Sequence, residues 1–238
     1  MNPLTRRSFV TTAAAGLAAL GVAAEAPRKA EAQLVWKGAQ WKMAKFHELV
    51  ENPASVKQVY DVSQIGGGGF LNSLKNLLNG LHFGFDVPEK EIKTVAGLHG
   101  PANMINYDDF IWNKYGVGAW LDVTDPETGK PAVRNIFYKS KHTIDTAAFK
   151  QDPDDEHSIY QDTSVEALQA RGVQFLSCHT ALEEQSRKLV KRENLSETPE
   201  QVVKELLAHK MPGVMVVASM VAAIALLQAQ GHYGYLKV

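Results

Sequence analysis

Apolar positions fall into two alternating rhythms from Val56 to the C-terminus. "VKQVYDV" (Val56–Val62) is a β-branched run and predicts a first strand. After "IGGGG", the stretch "FLNSLKNLLNGLHFG" repeats Phe70, Leu71, Leu74, Leu77, Leu78 and Leu81 at helical spacing. "EIKTVAGLHG" predicts a second strand running into a Gly/Pro turn. "YDDFIWNKYGV" predicts a short amphipathic helix with Asp108 and Asp109 suited to its first turn. Further on, "SVEALQARG" is a helix closed by Gly172, "VQFLS" a third strand, and "HTALEEQSRKLVKR" and "ETPEQVVKELLAHK" two helices. "GVMVVA", "SMVAAIALLQAQG" and "HYGYLKV" add a strand, a helix and a last strand. Strands that alternate with helices, several of them almost continuously apolar, place the chain in the α/β class. The expected architecture is a three-layer sandwich around a mainly parallel five-stranded sheet.

Two regions break this rhythm. Residues 120–161 hold "DVTDPETGKP", "NIFYKSKHTI" and "QDPDDEHSIYQD", where Asp125-Pro126 and Thr128-Gly129 predict a hairpin or long excursion. Residues 33–55 form an approach segment in which Trp36, Trp41 and Phe46 are suited to packing on the domain or on a neighbouring subunit. The expected division is a leader over 1–32, the approach segment over 33–55, and one α/β domain over 56–238 with an insertion at 120–161.

The leader reading rests on charge and hydropathy. "TRRSFV" precedes the uncharged run "FVTTAAAGLAALGVAA", and Ala30-Glu31-Ala32 fits a cleavage site, so the mature chain would begin near Gln33. The Arg6-Arg7 pair with Ser8-Phe9 resembles a twin-arginine export signal, which implies a periplasmic protein that crosses the membrane already folded. A second uncharged run, Met211 to Gln230, is long enough for a membrane span, but Pro212, Gly213, Ser219 and Gln228 divide it into a strand and a helix. No stable membrane insertion is expected after cleavage. A net charge of −1 and the lack of a Lys/Arg stripe argue against nucleic acid as a partner. A single cysteine excludes an internal disulfide and any multi-thiolate metal site.

Ligands of open parallel sheets bind beyond the carboxyl ends of the strands, at a switch in strand order. With the common order 2-1-3-4-5, the Gly-rich loop and Cys178 would flank one crevice. Cys178 falls where the third strand meets a helix N-terminus, which favours a thiolate; the alternative is a small buried hydrophobe. His179 can add positive charge beside it. Gly66, Gly67, Gly68 and Gly69 open a helix and suit either an anion held by backbone N–H groups or a tight packing turn. His99, in "GLHGP", is either a donor or base at the site or a histidine satisfied by its own turn. The histidines show no metal-ligand spacing, and no P-loop, dinucleotide fingerprint or G-x-S-x-G element is present, so no metal is expected and the cofactor stays unknown.

"GVQFLSCHTAL" and the C-terminal "MPGVMVVASMVAAIALLQAQGHYGYLKV" together resemble the DsrE/DsrF-like superfamily, in particular its exported members. "VYDVS", the leucine-rich helix and "VAGLHGPA" resemble that family's first half, so the likeness spans residues 56–115 and 160–238. Thr180 stands where the family block has Asn, and Ser219 where many exported relatives have Gly. The resemblance implies a DsrEFH-like sandwich related to flavodoxin-like folds, assembled as a homotrimer or homohexamer. It implies that Cys178 binds or relays sulfane sulfur between a donor and an acceptor protein, with His99, His179, Thr180, Ser219 and the Gly66–Gly69 backbone around it. The alternative within the same fold is a non-catalytic module for ligand binding or assembly. A third reading is an enzyme whose cofactor is loaded before export.

Overall fold

The computed structural model describes residues 35–238; the leader expected over 1–32 and the cleavage expected near Gln33 lie outside them. The strands are β1 (Val56–Val62), β2 (Ile92–Leu98), β3 (Gln174–Cys178), β4 (Met215–Val217) and β5 (Gly234–Lys237). All neighbours pair in parallel, in the order β4-β3-β2-β1-β5. The helices are α1 (Met43–Val50), α2 (Gly69–Asn79), α3 (Asp109–Lys114), α4 (Val117–Trp120), α5 (Val165–Ala170), α6 (His179–Arg192), α7 (Pro199–Ala208) and α8 (Met220–Ala229).

Side chains alternate across the pleat and split the core in two. Tyr60, Val62, Ala96, Leu98 and Phe175 face α2, α3, α5, α6 and α7. Val59, Val95, Leu176, Cys178 and Val217 face α1 and α8. Both faces are therefore covered, which explains why β2 and β3 lack a polar stripe. The observed α/β three-layer sandwich with a five-stranded parallel sheet matches the expected class. No helix of the described residues is long and apolar enough to cross a membrane, and Met211–Gln230 is divided between β4 and α8.

Strand order departs from 2-1-3-4-5 and changes where a site can form. The connections β1→β2→β3→β4 step in one direction, whereas β4→β5 returns across the whole sheet. Right-handed crossovers then require α8 to lie on the face opposite α2 and α6. The helices leaving β3 and β4 diverge to opposite faces, so the switch point lies between the ends of these two strands. β2 separates β1 from β3, and the Gly-rich loop and Cys178 do not share a crevice.

The approach segment carries a short 3-10 turn at Gly38–Gln40 and then α1, whose Phe46, Leu49 and Val50 are buried against α8 and the sheet. The insertion is mostly irregular. Of the two expected forms it is the long excursion, with a single antiparallel bridge from Thr124 to Pro131, and Ala148, Ile159 and Tyr160 form a small satellite core with Ala167 of α5. Gly118 of α4 lies so close to the Ala132 backbone that any side chain there would collide with it, which fixes how the insertion docks.

Candidate functional site

Cys178 ends β3 and is the N-cap of α6. Its Sγ accepts the N–H of Ala181 at 3.5 Å and the N–H of Met220 at 3.3 Å. The first turns of two diverging helices thus point at one sulfur. This is the switch-point geometry expressed in hydrogen bonds. Thr180 ties the two helix starts together, since its backbone N–H and its Oγ1 both donate to Ala218 O, at 3.3 and 3.0 Å. Ser219 is the N-cap residue of α8, but its side chain makes no capping bond.

The thiol is 4% exposed and belongs to the apolar cluster of Val59, Leu176, Val217, Met220 and Ala223. Burial pushes its pKa up, and the amides of Ala181, Met220 and Thr180 only partly offset this. The neighbouring His179 is also buried; its ring stacks on Trp36 with centroids 4.2 Å apart, and its Nδ1 lies 3.4 Å from Glu183 Oε1. Burial lowers the pKa of His179, which works against the positive charge expected beside the sulfur.

Beneath the cysteine lies a polar network that the sequence pattern did not reveal. Asn103 sits in a buried 3-10 turn after β2. Its Oδ1 accepts from Cys178 N at 3.1 Å and from Ser177 Oγ at 3.0 Å, while its Nδ2 donates to Cys178 O at 3.3 Å. The Tyr107 hydroxyl meets Ser177 Oγ at 2.7 Å, and Gln185 donates to Gly100 O. The network positions the end of β3 from below.

His99 is turned elsewhere. Its Nε2 lies 2.6 Å from Asp61 Oδ1, and Asp61 Oδ2 accepts the Tyr235 hydroxyl of β5 at 2.7 Å. Burial alone would raise the Asp61 carboxyl, but Tyr235, His99 and Lys237 together hold it below its ordinary value. Asp61 was visible in the sequence as one acid at the end of an apolar strand, a position where a partner is required; Tyr235 had no such signal.

The Gly-rich loop forms a third neighbourhood. Gly66, Gly67 and Gly68 take left-handed φ values of 51°, 65° and 81°, and Gly69 begins α2. Gly67 and Gly68 line a cavity of about 300 Å³ whose other wall comes from the insertion and the residues after it, including Lys139, Lys141, His142, Thr163 and Ser164. Lys139 pairs with Glu166 at 2.9 Å, and His142 lies 3.8 Å from Asp162. Asp162 also lines the cavity, and Lys141 at its rim forms no ion pair among the described residues.

The expected site therefore separates into three. The structure brings together Cys178, His179, Thr180 and Ser219, places Gly67 and Gly68 against the insertion, and gives His99 to Asp61. Among the described residues, no group of three or more His, Cys, Asp or Glu is placed to hold a metal ion. No family model, no curated protein and no solved structure matches this chain.

Proposed function

We propose that this chain is a non-catalytic, anion-binding module of DsrE-like type, exported and self-assembling, with its ligand between the Gly-rich loop and the insertion. The observation that carries the reading is the cavity itself. Left-handed glycines at the start of α2 meet an unpaired Lys141, and backbone N–H groups, a helix terminus and a cation are the ordinary means of holding a small anion. Self-assembly is supported by α8, "MVAAIALLQA", which is apolar all round yet leaves Val221 71% exposed. The test is calorimetric titration of the purified protein with inorganic phosphate and with sulfate, alongside its Lys141→Gln variant. Saturable binding that the variant weakens by about 5-fold or more supports the reading, given the strength of charge-assisted hydrogen bonds. Absence of saturation with either anion refutes it.

One observation favours the second reading, sulfane-sulfur relay through Cys178. Two amides from two helix starts would stabilise a thiolate or persulfide at Sγ. In that scheme the thiolate attacks a sulfur of a polysulfide, an S–S bond breaks, and the shortened polysulfide leaves with the electron pair. The sulfur would first have to be uncovered. Intact-mass measurement after polysulfide treatment decides the matter: a one-sulfur adduct that Cys178→Ser abolishes supports relay, and an unmodified native protein supports a structural thiol.

A further inference from the structure

A second cavity, of about 480 Å³, runs along the outer edge of β4, distant in the sheet order from the Gly-rich loop at the end of β1. One side is lined by the turn before β4 and the strand itself, from Gly213 to Val216. One wall is the approach segment, where Trp36 and Trp41 lie nearly parallel, with centroids 6.4 Å apart. Both rings are anchored from outside the cavity. Trp36 stacks on His179, and Trp41 packs against the buried Phe46 of α1 at 5.8 Å.

The charged residues among those that line it are Lys42, Lys45 and Lys210. None of them forms an ion pair among the described residues, although Lys114, Lys139 and Lys188 elsewhere do. The backbone of Lys210 is held in place by a bridge to the buried Tyr107, and among the described residues its Nζ donates to Met211 O, at 3.4 Å. Burial, and then the like charge of Lys42, lowers the pKa of Lys210. Lys42 and Lys45 are exposed at the mouth of the hollow and Lys210 is half-buried behind them, with Lys42 close enough to Lys210 to repel it; an incoming anion would relieve that repulsion. The chain as a whole carries a net charge of −1, so this concentration of positive charge is local. Flat aromatic walls favour a ligand with a flat body. The volume is within the range of small-molecule pockets, and a protein partner would need a broader surface.

We propose that this cavity binds a small aromatic carboxylate, with its ring against Trp36 and Trp41 and its carboxylate directed at Lys42, Lys45 and Lys210. The site is independent of the Gly-rich-loop cavity and of Cys178.

The experiment is calorimetry on the intact chain with 2-naphthoate and, as the neutral comparison, 2-naphthamide. Naphthoate is expected to bind saturably at one site, at least ~10-fold more tightly than the amide, with affinity falling as salt rises. Lys210→Gln is expected to weaken naphthoate by about 10-fold and to leave the amide unchanged. Lys42 is exposed, so Lys42→Gln serves as a second variant that leaves the core intact, with a loss of about 3-fold. Equal uptake of acid and amide, no saturation, or insensitivity to both lysine variants would overturn the proposal. Loss of naphthoate binding in Lys141→Gln would also overturn it, because the ligand would then occupy the other cavity.

Discussion

Around Cys178, donors and acceptors from β3, α6, α8 and the turn after β2 are turned on one another, and the sulfur is sealed beneath apolar side chains. At the end of β1 the same kind of strand-to-helix junction is left open, glycines replace side chains, and Lys141 has no ion-pair partner among the described residues. Both junctions present a helix N-terminus at the carboxyl edge of one sheet. What separates them is exposure: at the end of β1 the N–H of Gly68 serves Ile65 O and that of Gly69 serves Gly66 O, yet Gly67 and Gly68 line an open polar cavity, whereas the amides at β3 enclose a buried sulfur. A helix start closed over an internal acceptor stabilises the fold, and one that borders a polar cavity has something to offer a ligand.

Substitutions should sharpen this contrast. The largest expected effect is at Asn103. Asn103→Ala removes the side-chain acceptor of Cys178 N–H and Ser177 Oγ in a buried site and is expected to cost about 3 kcal/mol in urea denaturation. A loss below ~1 kcal/mol would show that the junction at β3 is not closed in solution. Next is Gly68→Ala. A Cβ there would sit 2.7 Å from Phe137 and demand φ near +81°, so about 1–2 kcal/mol of strain is expected, together with loss of anion binding as Phe137 shifts into the cavity. Thermal unfolding and phosphate titration of this variant check both effects.

Two pH experiments give smaller effects. The folded-state pKa of Cys178 is raised, so its contribution to stability is fully present below the unfolded-state value of about 8.5 and is lost as pH rises through the folded value. Denaturant melts of the native protein should therefore lose stability relative to Cys178→Ala above about pH 8.5, by at most ~1.4 kcal/mol per pH unit. Parallel curves for the two proteins would mean that the sulfur ionises freely. The folded-state pKa of Asp61 is depressed, so its contribution is present above the unfolded-state value of about 3.9 and disappears as pH falls through the folded value. Asp61→Asn should flatten the acid limb of the stability profile, with the clamp between β1, His99 and Tyr235 lost at all pH values.

Much of the local structure was legible because it depends on near neighbours in the chain. Val56–Val62 is a strand over the expected residues, His179–Arg192 a helix over its expected span, and Met211–Gln230 divides at Ser219 as its Pro, Gly and Ser positions implied. Cys178 does cap a helix. The helix in the approach segment was missed, because Met43–Val50 shows apolar spacing over barely two turns. Of the hairpin or long excursion that the turn residues of the insertion predicted, the structure shows the excursion with a single bridge, held by Gly118 and the satellite core through contacts remote in sequence. Of the candidate site, the residue types were visible and their grouping was not.

The amino-acid sequence alone determined the alternation of strands and helices, and with it a parallel sheet covered on both faces, because hydrophobic period and turn chemistry act within a few residues. Tertiary structure decided that β2 stands between the glycine loop and Cys178, that the sulfur is sealed, and that His99 belongs to Asp61. Those outcomes depend on strand order and on which helix crosses which face, and pairing energies between distant segments are not written in any local period.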